Sequence, residues 1–104
     1  MSSRLETLTA FVAQAPENAF ARYGLAMELK QQGSTDAALE QFQLLAEYHP
    51  DYAAGFQQAG QLLLSLGRVE EARQRLLAGI AAAERTGDTH AAAEMRGLLE
   101  ESAG

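Results

Sequence analysis

Cysteine is absent from the 104 residues of this chain, which excludes disulfides, thiolate metal sites and cysteine nucleophiles. The lack fits a reducing compartment, and the expected location is the cytoplasm. Positive charge is nearly as scarce. One Lys and seven scattered Arg face an acidic excess that leaves a net charge of −6 and a pI near 4.8. A phosphate-binding surface needs clustered Lys and Arg, so neither nucleic acid nor an anionic membrane is expected as a partner. No apolar run approaches the ~20 residues of a membrane span. Glycine-rich phosphate loops are missing, and no stretch alternates with the two-residue period of a strand. Ala13-Gln14-Ala15 resembles a signal-peptidase site. Glu6, Thr7 and Thr9 nevertheless occupy the place of an apolar core and only Arg4 is basic, so an amphipathic first helix is expected instead.

Proline occurs only twice, and Ala, Leu, Glu and Gln dominate a chain that is 47% hydrophobic, which favours helix on intrinsic propensity. The length suits one domain, residues 1–104, with a single modest core. Ser3 and Glu6 have capping-box spacing. Leu5, Leu8, Val12 and Ala15 then follow at helical steps, with Phe11 beside them. Pro16 stops this first helix, and Pro16-Glu17-Asn18 is expected to begin the second, about Glu17 to Gln32, which carries Leu25, Ala26 and Leu29 on one face. Gly33 supplies a stop, and Ser34 to Asp36 offer capping oxygens for a third helix with Ala38, Leu39, Phe42, Leu45 and Ala46. Pro50 and Asp51 repeat the earlier break. A fourth helix from about Asp51 to Leu66 carries Phe56, Ala59, Leu63 and either Leu62 or Leu64. A fifth from about Val69 carries Ala72, Leu76, Leu77 and Ile80. Thr86-Gly87-Asp88 marks the last turn, before a sixth with Ala92, Met95, Leu98 and Leu99.

These landmarks repeat. Pro16 and Pro50 are 34 apart, as are Gly33 and Gly67, Ala38 and Ala72, and the apolar triple Leu8, Phe42 and Leu76. Leu25 pairs with Ala59, Ala26 with Gly60, and Leu29 with Leu63 at the same spacing. Such a period is the signature of stacked helical hairpins, none of which can bury its apolar face alone.

The chain resembles the tetratricopeptide repeat, a 34-residue helix–turn–helix unit. Leu25-Ala26, Leu29, Gly33, Ala38, Phe42 and Pro50 carry the likeness in one unit. Phe56, Gly60, Leu63, Gly67, Ala72, Leu76 and Gly79 carry it in the next. The resemblance implies an all-α fold, a right-handed α-α superhelix of about six antiparallel helices. Residues 3–16 would form a half-unit, 17–52 and 53–86 two full units, and 87–102 a capping helix. Departures are expected to matter locally. Arg22 stands where a Trp or large apolar residue is usual, and Leu45 and Phe11 where a small one normally lets helices approach. Glu84 replaces the second closing Pro, so the fifth helix should run longer. Aligning the last helix requires a shift of 36 residues, which suggests a terminal turn two residues longer than the others.

Chemistry is sparse. His49 and His90 lack partners at metal-ligand spacing, and the default for both is a solvated turn or helix end. No nucleophile elbow accompanies any Ser–His–Asp set. The Glu70-Glu71 and Glu100-Glu101 pairs are read as surface charge. No cofactor and no enzymatic activity are expected. The resemblance implies instead a scaffold that binds a peptide or helix of another protein in a concave groove. The first helices of the units would line it, through Phe20, Tyr23, Met27, Lys30 and Gln31, then Ala54, Gln57, Gln58, Gln61 and Leu64, with His90 and Ala93 from the cap. The Lys/Asn/Arg clamp with which one subfamily holds carboxylate tails is not present, because Tyr23, Met27, Gln58 and Gln57 stand at the matching places. Phe20, Tyr23 and Met27 can equally be core, packed against the first helix or the neighbouring one. A homodimer covering Leu5, Phe11 and Leu98 across a two-fold axis is the alternative, or a regulatory subunit of a larger assembly.

Phe42 lies at the centre of the repeat pattern. Phe42→Ala should destabilise the fold by ~3–5 kcal/mol and abolish cooperative thermal unfolding. An unchanged melting temperature would remove Phe42 from the core.

Overall fold

The computed structural model describes residues 3–103. They form six α-helices: α1 (Arg4–Gln14), α2 (Ala19–Gln31), α3 (Thr35–Tyr48), α4 (Ala53–Ser65), α5 (Val69–Thr86) and α6 (Thr89–Ala103). There is no strand among the described residues. The helices gather into two compact units, one ending at His49 and one beginning at Pro50.

Helix ends follow from local chemistry. Ser3 and Glu6 form the full capping box, with Glu6 N–H donating to Ser3 Oγ (3.1 Å) and Ser3 N–H to Glu6 Oε1 (3.2 Å). Pro16 and Glu17, expected inside the first turn of α2, lie outside it. Asn18 is the cap, and its Oδ1 accepts from Ala21 N–H at 2.9 Å, which sets the start two residues later. Likewise Asp51 precedes α4, whose cap is Tyr52. Ser34 is the cap of α3, but its side chain makes no capping bond. Gly33 and Gly67 take positive φ (82° and 76°), the left-handed conformation that costs glycine little. At each, the next N–H bonds five residues back, Ser34 to Leu29 O and Arg68 to Leu63 O, both at 2.9 Å. The repeat read from spacing is therefore a repeat of one backbone motif.

α5 does run longer, 18 residues against 14 for α3, as the replacement of proline by Glu84 implied. The terminal turn is not longer. Only Gly87 and Asp88 separate α5 from α6, whereas four residues separate α3 from α4. With no proline to interrupt it, the helix absorbs the two extra residues.

In the first unit Val12, Ala21 and Leu25 form a buried cluster, with Leu5, Leu8 and Leu29 packed against it. Ala26, Ala38, Phe42 and Leu45 are also buried, whereas Phe11 is 50% exposed. Arg22 is the notable substitution. Only 6% exposed, it occupies the large-residue position with a charge. Its Nη1 donates to Gln41 Oε1 (2.7 Å) and its Nη2 to Pro16 O (2.9 Å). The guanidinium carbon lies 5.2 Å from the centre of the Tyr48 ring, a cation–π geometry. Nε has no partner. The arginine thus ties α2 to the proline turn and to α3 through its guanidinium.

In the second unit Leu76, Ile80, Ala83, Ala92 and Met95 form the core, with Leu64, Leu98 and Leu99 against it. Leu77, expected among the inward residues, is 55% exposed. It follows Leu76 by one residue, or 100° around the helix, and so leaves the buried face. Two glycines let helices touch. A Cβ on Gly60 would sit 2.6 Å from Leu76 Cδ2, and one on Gly79 would sit 2.7 Å from Phe56 Cβ and 2.5 Å from Met95 Sδ. The Pro50 turn is held much as the Pro16 turn is. Arg85 Nη2 donates to Pro50 O (3.1 Å) and its Nε to Asp51 Oδ1 (2.7 Å).

Gly79→Ala should therefore lower stability by about 1–3 kcal/mol through overpacking against Phe56, although alanine is the better helix former. Gly97→Ala, with open space at the added methyl, should raise it by about 0.5–1 kcal/mol. Chemical denaturation of the two variants checks the pair, and equal shifts would contradict the close approach at Gly79.

Candidate functional site

α4 carries no charged residue. Phe56, Ala59, Gly60 and Leu63 point into the protein, so the amides of Gln57 and Gln61, one turn apart, fall on an adjoining, half-buried face. On α6, Ala92 and Met95 face the core. Ala93, Glu94, Gly97, Leu98 and Glu101 then form the neighbouring stripe. The two faces line an open cleft of about 230 Å³ bounded by Gln57, Gln61, Ala93, Glu94, Gly97, Leu98 and Glu101. Gln57 Nε2 donates across it to Glu94 Oε1 at 3.3 Å. His90 Nε2 lies 3.4 Å from Glu94 Oε2, at the end of the cleft rather than in its lining.

Its floor is small and apolar because Gly97 lacks a side chain and Ala93 has a short one. Its rim is amide on α4 and carboxylate on α6, with no Lys or Arg in the lining. Such a surface can donate and accept hydrogen bonds along a peptide backbone. It holds no nucleophile beside a base. Among the described residues no three His, Cys, Asp or Glu converge as metal ligands would, and no helix is long and apolar enough to cross a membrane.

A second hollow of about 240 Å³ lies at the Pro50 turn, lined by Asp51, Tyr52, Ala53, Ala54, Thr86 and Asp88. Its carboxylates are engaged. Asp51 pairs with Arg85, and Asp88 Oδ1 accepts from Ala91 N–H at 3.0 Å. Elsewhere, the hydrogen bond from Arg68 to Glu71 holds that carboxyl below its usual range, the two forming a bidentate pair at 2.7 and 2.8 Å.

The sequence-derived groove residues meet different fates. Gln57 and Gln61 share the cleft. Gln58 is half-buried on α4, and Leu64 packs on the Leu76–Met95 core. In the first unit, Phe20 is 82% exposed, Gln31 is exposed at the end of α2, and Met27 and Lys30 are half-buried. Tyr23 is half-buried with its ring edge-on to Phe42, 6.4 Å between centres at 65°, so it belongs in part to the core. Of the three residues expected to meet across a two-fold axis, Leu5 and Leu98 pack on the cores of their own units. His49, expected to be solvated, places Nε2 against Glu17 O. Glu94, Gly97, Leu98 and Glu101 escaped assignment to the groove. Their three- and four-residue spacing was visible, but Leu98 reads as core and Glu101 as surface charge until α4 is placed opposite.

No sequence model of a protein family matches the chain. A TPR repeat-containing protein of Pseudomonas aeruginosa is 33% identical over 95 residues, covering 91% of this chain and 90% of its own length. Among solved structures, a tetratricopeptide repeat domain protein from Salinibacter ruber is 30% identical. It superposes with a TM-score of 0.79, covering 84% of this chain and 88% of that one. The TPR2B domain of yeast Sti1, solved in a complex with pHsp70, has a TM-score of 0.87 over 95% of this chain and 79% of its own. At 17% identity that likeness is one of fold.

Tyr23 and Phe20 should separate in stability. Tyr23→Ala removes an aromatic pair worth ~0.5–1.5 kcal/mol beyond its buried area and should lower the melting temperature by several degrees. Phe20→Ala should leave it unchanged. Thermal melts followed by circular dichroism decide, and equal melting of both variants would mean that Tyr23 is no more core than Phe20.

Proposed function

This chain belongs to the tetratricopeptide repeat family, and we propose that it is a non-catalytic interaction module that grips a short segment of another protein. The observation that carries this reading is the α4–α6 cleft, open to solvent, apolar at its floor and amide-lined along one wall. Gln57 and Gln61 can each bond both an N–H and a C=O of an extended backbone. Side chains of the bound segment then meet Ala93, Gly97 and Leu98. Phe20, with Met27, Lys30 and Gln31 of the first unit, offers apolar and polar anchors of the kind that dominate binding energy at interfaces. Gln58 borders the α4 wall, and Leu64 packs on the core of the same unit.

A domain of the same fold is solved with a protein ligand, pHsp70, so the fold accommodates such partners. Here the equivalents of the family's cationic clamp are Tyr23, Met27, Gln58 and Gln57, which cannot neutralise a terminal carboxylate. The ligand is therefore a different kind of segment from an acidic chain end.

Peptides selected on the immobilised full chain from an unbiased displayed library supply the test. The best of them should bind Gln57→Ala/Gln61→Ala about tenfold more weakly, with the helical melt unchanged. Equal affinity would move the site away from α4, and a library that yields no binder would remove the groove reading.

A further inference from the structure

We infer that the segment held between α4 and α6 is basic: an extended stretch with two Lys or Arg flanking an apolar residue. This rests on the groove reading and adds the chemistry of the occupant. The cleft is bordered by two carboxylates, Glu94 and Glu101, and by no lining cation. α4 contributes no charge of either sign. The one arginine of α6, Arg96, is paired with Glu84 of α5. His90 stands near Glu94 only. Nothing in the cleft therefore neutralises Glu101, and the whole chain carries a net charge of −6, which repels acidic segments and steers basic ones toward it.

Spacing gives the pattern. Glu94 and Glu101 are seven residues apart, about 10.5 Å along a helix at 1.5 Å per residue. In an extended chain, alternate side chains share a face, and residues four apart lie about 13 Å from one another. Lys and Arg side chains are long enough to absorb the difference. The residue midway between the two cations then points to the same side and meets Leu98 and the opening left by Gly97. Gln57, bonded to Glu94, holds that carboxylate at the rim where the first cation arrives.

The probe is the acetylated peptide Gly-Ser-Lys-Ala-Leu-Ser-Lys-Ser-Gly, labelled for fluorescence anisotropy, against its charge-reversed twin with Glu for both Lys. The full chain should bind the basic probe at least about tenfold tighter than the acidic one, with affinity falling as salt is raised. Glu94→Gln with Glu101→Gln should weaken the basic probe about tenfold. Glu40→Gln with Glu47→Gln, also seven residues apart but on α3, removes the same charge and should leave binding unchanged. Equal losses from both pairs would reduce the effect to general attraction and overturn the assignment to this cleft. Preference for the acidic probe, or no binding of either, would overturn the basic occupant. If library-selected peptides remain sensitive to Gln57→Ala/Gln61→Ala but not to Glu94→Gln/Glu101→Gln, the groove stands and only its charge preference falls.

Discussion

Close approach of helices at small residues is the constraint on which the rest of this structure depends. Gly79 admits Phe56 from α4 and Met95 from α6 to the same patch of α5, at distances that a single methyl group would close. Gly60 does the same for Leu76. A helical hairpin of this size cannot bury an apolar face unaided. It gains its burial by bringing backbones near enough for Leu, Phe and Met to fill the space between them, and a packed interior tolerates little change in either direction. The small residues therefore set the distances, and the large ones follow.

Turns are treated with equal economy. Each proline carbonyl, at 16 and at 50, accepts from an arginine guanidinium, but the two arginines reach it differently. Arg85 comes from an exposed position and also pairs with Asp51. Arg22 comes from inside, at a place where an apolar residue would be expected, and spends its remaining contacts on Gln41 and Tyr48. Burying a guanidinium is costly unless it is hydrogen-bonded, and here Nη1 and Nη2 each find an acceptor while Nε does not. That the carbonyl, the amide and the ring all converge on Arg22 explains how the substitution survives in a core position.

The α4–α6 cleft is a by-product of that packing. Once Ala92 and Met95 are drawn inward, the next stripe of α6 must look across at α4. Gly97, free of any neighbour, opens room between them. The proposed preference for a basic segment arises from which residues happen to remain on the rim: amides on one side, carboxylates on the other. A groove of this make-up is the electrostatic inverse of the cationic clamp that other members of the family use for carboxylate tails.

Sequence alone determined the number and order of helices, the period, the glycine stops and most of the buried set, because these follow from short-range spacing of apolar, small and left-handed-tolerant residues. Phe42, Leu76, Ala38 and Ala72 were all legible in this way. Helix starts were less so, since a cap depends on a specific hydrogen bond: Asn18 makes one and Ser34 does not. Only tertiary structure decided where the extra residues near the end went, how Arg22 replaces an apolar side chain, and that Tyr23 leans on Phe42. It also decided the cleft. Gln57 and Gln61 could be named from the pattern of α4, but Glu94 and Glu101 acquire meaning only when α6 is laid beside them. Pairings between helices are set by packing across long sequence separations, and no local pattern encodes that distance.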